Sequence, residues 1–254
     1  MPRKIALTLA YNGAGFAGWQ VQTGQRTVQN EIEEAIFKVV GQQLTLAGSG
    51  RTDSGVHARG QVAAFITENT TIKAEQFAKA INSKLNYDVR IISGREVPLT
   101  FDARRHAIRR IYRYRIRQAA TIDPLTAAFC FTTPLKLNLN RLNQLAGLFV
   151  GWHNFNAFCS SQDANKNKVR LIYKSYFVME GSLFVYHIEG NAFLMKMVRS
   201  IVGTILNYYS KDNAEQIITQ ALTGGQRSLA GTTAKACGLS LEEVIYNEDY
   251  QRFF

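Results

Sequence analysis

Arg51, Asp53, His57 and Arg59 fall within nine residues, inside the segment GSGRTDSGVHARGQ (48–61). The segment holds one carboxylate among cations and glycines, with little that is apolar to bury. An opposite charge within a few ångströms lowers an aspartate pKa by roughly 1 to 3 units. A carboxylate held ionised in this way is a poor general acid near neutral pH, but it serves as a nucleophile or an anionic base. Aspartates in Gly-rich loops also cap turns and backbone N–H groups, and spacing alone leaves both roles open for Asp53. Glycines 48, 50, 55 and 60 would let the backbone approach a bulky substrate closely.

A second cluster lies at FDARRHAIRRIYRYRIR (101–117), where seven arginines alternate with aromatic residues. A guanidinium binds phosphate through a flat fork of donors and stacks on bases, so arginine with interleaved aromatics suits nucleic acid better than solubility requires. On a strand, Tyr112, Tyr114 and Ile116 share one face while Arg113, Arg115 and Arg117 share the other. One face then builds a core, and a tyrosine at its edge can stack on a base. The net charge of +11 points to the same class of partner.

Other chemistries find less support. GAGFAG (13–18) matches G-x-G-x-x-G, but WQVQTGQR after it lacks helical apolar spacing, so a flexible loop is expected and not a dinucleotide cradle. Neither G-x-x-x-x-G-K-[ST] nor G-x-S-x-G occurs. Cys130, Cys159 and Cys237 are widely spaced, as are the four histidines, so no zinc ligand pattern is present and three thiols in a reducing cytoplasm are expected. No apolar run approaches the roughly 20 residues of a membrane span. The N-terminal KIALTLAY reads as a strand and not as a signal peptide.

The elements that must position these residues follow from periodicity. Strands are expected at 4–11, 44–47, 61–67 and 89–97, with helices at 28–40 (capped by Thr27, ended by Gly41) and 74–85. This β-α-β-β-α-β order is the ferredoxin-like pattern. The second half repeats it: a strand at 109–117, a helix at 139–150, a hairpin at 170–190 turning at Gly181-Ser182, a long apolar helix at 193–209, a helix near 213–222 and a strand at 241–247. The fold expected is α+β, two ferredoxin-like halves with mainly antiparallel sheets and an active-site cleft between them. The halves are taken as 1–100 and 101–254, with an insertion at 118–138 and a mobile polar loop at 159–168. Lys196 and Arg199 lie on the long apolar helix. Snorkelling to the surface and a reach of Arg199 toward Asp53 both account for such cations.

GRTDSGVHA (50–58), FDAR with RRIYRY (101–104, 109–114), NAFLMKMVRSIVGTIL (191–206) and LAGTTAKACGL (229–239) together resemble the tRNA pseudouridine synthase A family over nearly the whole chain. The resemblance implies an isomerase without cofactor or metal, acting on uridines at positions 38 to 40 of the tRNA anticodon stem-loop. It makes Asp53 the essential aspartate, Arg51 the residue that helps extrude the base, Tyr112 the stacking tyrosine, Arg199 the partner of Asp53 and Arg170 a pocket arginine. Phe101, Arg104, Arg105, Arg109 and Arg110 become RNA contacts. A cytoplasmic homodimer with tRNA across both subunits is implied. Ser54, Asp102, Arg105 and TTAKA depart from the commoner family pattern. Two rivals use the same features: a non-catalytic RNA-binding module, and a dinucleotide-dependent oxidoreductase built on Gly13, Gly15 and Gly18.

Overall fold

A computed structural model describes residues 1–254. In chain order it contains β1 (Arg3–Tyr11), α1 (Val28–Val40), β2 (Ala47–Gly48), β3 (His57–Thr67), α2 (Phe77–Asn82), β4 (Val89–Val97), β5 (Ala107–Gln118), β6 (Phe131–Thr133), α3 (Leu139–Gly147), β7 (Gly151–Asn154), β8 (Val169–Glu180), β9 (Leu183–Gly190), α4 (Met197–Tyr208), α5 (Ala214–Gly224), β10 (Leu239–Tyr246) and α6 (Glu248–Gln251). The class is α+β with mainly antiparallel strands. Two compact units form, one from residues 1–108 with 241–254 and one from residues 109–240.

In the first unit β1 is central, antiparallel to both β3 and β4, and β2 pairs antiparallel with β3. The order β4-β1-β3-β2 is that of the ferredoxin-like plan. Alternation on β1 decides what is buried: Ile5, Leu7 and Leu9 are fully enclosed, and they pair in register with Phe65, Ala63 and Gln61 of β3. Val28, Ile32 and Ile36 recur every four residues along α1 and are also fully buried. Each such side chain contributes about 1.5 to 3 kcal/mol relative to exposure. Thr27 occupies the N-cap position with extended backbone, yet its hydroxyl makes no capping bond and is buried without a partner. Gly41 ends the helix in the left-handed region, as expected. The expected strand 44–47 shrinks to two residues, because Leu46 donates its N–H to Glu33 on α1 and not to a neighbouring strand.

The second unit has sheet order β5-β9-β8-β7, antiparallel throughout, with β6 added parallel to the end of β5. β6 and β7, only three and four residues long, are too short for alternation to mark them in the sequence. α4 begins at Met197, four residues later than its apolar pattern suggests. Lys196 precedes it in the left-handed conformation at φ 62°, so it sits before the helix and not on it. A left-handed backbone at a residue with a Cβ stores about 1 to 3 kcal/mol of strain. The 159–168 loop, expected to be mobile, is tied down. The Asp163 carboxylate, 3 % exposed, accepts from the N–H of Met195 and of Asn165, from the Asn165 amide and from Lys168.

Candidate active site

The loop that carries Asp53 is fixed from below by one buried amide. Gln61 faces the core on β3, in register with Leu9, and is fully enclosed. A buried amide must find partners or cost several kcal/mol. Its Oε1 accepts from the Ser49 hydroxyl at 2.6 Å, and its Nε2 donates to the Gly50 carbonyl at 3.0 Å. The Thr52 hydroxyl, also buried, bonds Tyr11 Oη at 2.8 Å, and the Thr52 carbonyl accepts from Trp19 N–H. The Asp53 carbonyl closes a turn by accepting from Val56 N–H at 3.1 Å. The Asp53 side chain is half-buried, between a buried Thr52 and an exposed Ser54.

GAGFAG is the other wall of this loop. A Cβ on Gly13 would stand 2.0 Å from the Val56 carbonyl oxygen. One on Gly18, itself at φ 104°, would stand 2.8 Å from the Thr52 carbonyl oxygen and 3.1 Å from Ser54 N. The two backbones therefore pack directly against each other, which only glycine permits. Gly13 N–H also donates to His57 Nδ1 at 3.0 Å, and the Phe16 carbonyl accepts from the Ser54 hydroxyl and Gly55 N–H. The stretch 13–15 forms a single tight turn and opens no long helix, as its sequence context indicates. The glycines of the 48–61 segment divide in the same way. Gly48 abuts the Trp19 ring and Gly60 the Glu242 backbone, so these two serve internal packing, whereas Gly50 faces open space. His57 is 7 % exposed and belongs to this packing; Arg51 and Arg59 are exposed.

Residues 101–106 form a turn in the same unit. Phe101, expected as an RNA contact, is 1 % exposed and sits in a ring cluster, so its side chain cannot stack on RNA. Arg104 and Arg105 are exposed. The Asp102 carboxylate accepts from the backbone N–H of both, at 2.9 Å each. Burial works to raise the Asp102 pKa, and those two bonds, with the charges of Arg105 and His106, outweigh it and hold the carboxyl below its usual range.

In the second unit β5 divides as its alternation requires. Tyr114 and Ile116 are fully buried, and Tyr114 Oη donates to the Lys235 carbonyl. Tyr112 closes the same row and stays half-exposed, edge-on to Phe193 at 5.1 Å. The arginines of the strand are more engaged than a freely solvated row. Arg109 bonds Glu189 at 2.7 Å and lies over the Tyr173 ring, Arg110 bonds the Asn191 carbonyl, and Arg113 bonds Glu180. Arg115 donates to the Ser240 hydroxyl. Burial opposes ionisation of Glu189, but the bonds from Arg109 and Lys174 prevail and keep its pKa low. Arg170, at the start of β8, donates to the carbonyls of Asn167 and Val169, and its Nε is buried without a partner. Desolvation lowers the Arg170 pKa, with the nearby Asp163 and Cys159 countering it. Arg199, in the first turn of α4, donates Nε to the Ala234 carbonyl at 2.8 Å, and its own carbonyl accepts from Ala234 N–H. The 191–206 and 229–239 blocks are thereby strapped together. Gly231 N–H adds a bond to the buried Thr204 hydroxyl. Asp163 has little to mark it in the sequence beyond being an aspartate just ahead of asparagines and lysines in a polar run.

No group of three His, Cys, Asp or Glu side chains is placed to hold a metal, and no helix is long and apolar enough to cross a membrane. The fold and the Asp53 loop together fall in a family of isomerases: the family model described as tRNA pseudouridine synthase matches residues 8–105 and 145–247, and the chain belongs to that family. Relatives named tRNA pseudouridine synthase A are similar along almost the entire length. The one from Brachyspira hyodysenteriae is 37% identical over 246 residues, 96% of this chain and 99% of the relative. The one from Geobacillus kaustophilus is 36% identical over 250 residues, covering 98% and 96%. That from Caldicellulosiruptor saccharolyticus is 38% identical over 244 residues, covering 96% and 100%.

Proposed function

We propose that this chain converts uridine to pseudouridine at positions 38 to 40 of the tRNA anticodon stem-loop, with Asp53 as its essential carboxylate. In this reaction the N1–C1′ bond of uridine breaks and a C5–C1′ bond forms. The hydrogen on C5 leaves as a proton and N1 gains one, so atoms and electrons balance without an external reagent. The observation that carries the reading is the setting of Asp53: a half-buried carboxylate on a loop whose flanks are held by Gln61, Thr52 and the backbone of 13–18. A rigid first contact keeps a reactive group in position for a single bond, which supplies much of an enzyme's advantage. Family membership supplies the substrate class.

The target base must leave its stack, which costs a few kcal/mol. Arg51, exposed two residues before Asp53, is assigned to extrusion, and half-exposed Tyr112 to stacking on the extruded base. Arg199 and Arg170 are assigned to substrate binding. Arg104 and Arg105 contact phosphate, while Arg109 and Arg110 add basic charge to β5. The protein works in the cytoplasm as a homodimer, which light scattering of the purified protein checks. Counterion release makes tRNA binding weaken steeply with salt.

The decisive experiment is nucleoside analysis of anticodon-arm fragments from unmodified tRNA incubated with the purified protein alone. Pseudouridine confined to those positions is expected. Asp53→Asn is expected to bind tRNA like the parent while turnover drops by at least about a thousandfold, as when other enzymes lose a nucleophile. Normal turnover by that variant overturns the assignment of Asp53.

A further inference from the structure

The turn that presents Arg104 and Arg105 is closed by hydrogen bonds of Asp102 and His106. It is a short link before β5, with two adjacent arginines that repel each other and no helix or ladder to hold it. Inside the turn, Asp102 caps Arg104 and Arg105, and His106 Nδ1 accepts from Asp102 N–H at 3.1 Å. Lys4 on β1 donates to the Phe101 carbonyl at 2.7 Å, and the rings that hold the turn come from almost 150 residues later. The Phe101 ring lies 5.1 Å from Tyr246, 5.3 Å from Tyr250 and 5.7 Å from Phe254. Tyr250 also stacks on His106, with centroids 4.4 Å apart and planes within 8°. Tyr246 stacks on Phe254 at 4.7 Å and donates Oη to the Ala103 carbonyl at 2.9 Å.

Aromatic contacts of this kind contribute about 0.5 to 1.5 kcal/mol each beyond their area. They act on both ends of the turn: Phe101 and Ala103 on one side of the arginines, His106 on the other. Holding both ends removes much of the ordering cost that a loose turn would bear on meeting a phosphate. We propose that residues 246–254 are a positioning element for RNA affinity, with Tyr250 and Phe254 holding Arg104 and Arg105 in a phosphate-binding arrangement. This rests on the tRNA reading given above. Phe101 then works from inside, as the ring on which the segment closes.

The test is steady-state kinetics on an unmodified tRNA transcript over a range of KCl concentrations. It compares the parent, the double variant Arg104→Ala/Arg105→Ala, Tyr250→Ala, Tyr250→Phe and Phe254→Ala. The double variant is expected to raise KM about tenfold, the effect of losing roughly one charge-assisted hydrogen bond. Its plot of log kcat/KM against log salt becomes shallower by roughly one unit. Tyr250→Ala reproduces both effects with kcat held within about twofold, because the ring acts on binding and not on the reacting atoms. Tyr250→Phe matches the parent, since the stack on His106 needs the ring and not the hydroxyl. Combining Tyr250→Ala with the arginine pair adds little, as for groups acting through one another.

The proposal is overturned if Tyr250→Ala leaves KM and salt slope unchanged, if it lowers kcat alone, or if its effect adds in full to that of the arginines. It is equally overturned if the arginine pair itself proves silent. Should Tyr250→Ala not fold, Phe254→Ala decides by the same readouts, because that residue is 39% exposed and more tolerant of truncation. A parent protein that makes no pseudouridine in tRNA would instead sink the functional reading, which keeps the two failures apart.

Discussion

Two loops of this chain look alike in sequence and are held by opposite means. GSGRTDSGVHARGQ and CSSQDANKNK are both polar, poor in apolar residues and rich in small side chains. The first is fixed by close backbone packing, Gly13 against Val56 and Gly18 against Thr52, with a neutral amide beneath it. The second is fixed by one ionised carboxylate, Asp163, to which N–H groups and Lys168 converge. Glycine packing and the Gln61 amide bonds do not titrate, although the bond that His57 Nδ1 accepts from Gly13 N–H does; a carboxylate staple titrates as a whole. A loop built around a reactive acid gains from the first device, because its shape then does not change with the charge of its surroundings.

The strongest way to break this contrast is to give the first loop a side chain where none fits. Gly13→Ala places a methyl group on the Val56 carbonyl, so one backbone must move. A destabilisation of about 3 kcal/mol is expected from such overpacking, measured by urea unfolding. Turnover should drop further than the stability loss explains, because the segment displaced includes Asp53. Stability within about 0.5 kcal/mol of the parent would mean that the close approach is not what shapes the loop.

A smaller effect sharpens the other side. In the folded protein the Asp163 pKa is driven well below the usual 3.8; burial pushes upward, and the Met195 and Asn165 bonds together with Lys168 overcome it. A depressed folded pKa means that stability is fully present above the unfolded pKa and is lost as pH falls through the folded one. The contribution of Asp163 to the 159–168 loop should therefore be whole from neutral pH down to about 4 and decline progressively below that, to be gone once pH has passed the folded pKa. Amide hydrogen exchange at Met195 and Asn165, corrected for intrinsic rates, reads this opening, while the amides of 49–56 keep their protection. Asp163→Asn, which retains one acceptor oxygen, should cost about 1 to 2 kcal/mol and loosen the loop at neutral pH. Equal loosening of both loops on acidification would erase the distinction.

How far the sequence reveals these features depends on the range of the forces behind them. Alternation and helical spacing placed β1, β4, α1 and the β8–β9 hairpin to within a residue or two, because each depends on which face of its own element is apolar. The Asp53 loop stood out because its composition is odd for any core. What composition could not show was which partner each residue meets. Gln61 looks like an unremarkable polar residue until its register with Leu9 puts it in the core. Phe101 looks like an exposed aromatic beside arginines until residues 246–254 return to cover it. The start of α4 was hidden for a local reason. FLMK continues the apolar pattern, while the left-handed backbone at Lys196 stops the helix, and nothing in that residue's type announces the turn.

The mildest variant tests whether backbone packing alone accounts for the first loop. Ser54 is exposed, and its hydroxyl donates to the Phe16 carbonyl at 3.1 Å. That carbonyl also accepts from Gly55 N–H at 3.3 Å and keeps this bond when the hydroxyl is gone. Removing the hydroxyl therefore leaves no buried group unsatisfied. Ser54→Ala is expected to change stability by less than about 0.5 kcal/mol and to leave kcat and KM unchanged. If it cost as much as a buried hydrogen bond, the residue next to Asp53 would be held by its side chain. The loop would then resemble the Asp163 staple, and backbone contact at Gly13 and Gly18 would no longer suffice to explain its shape.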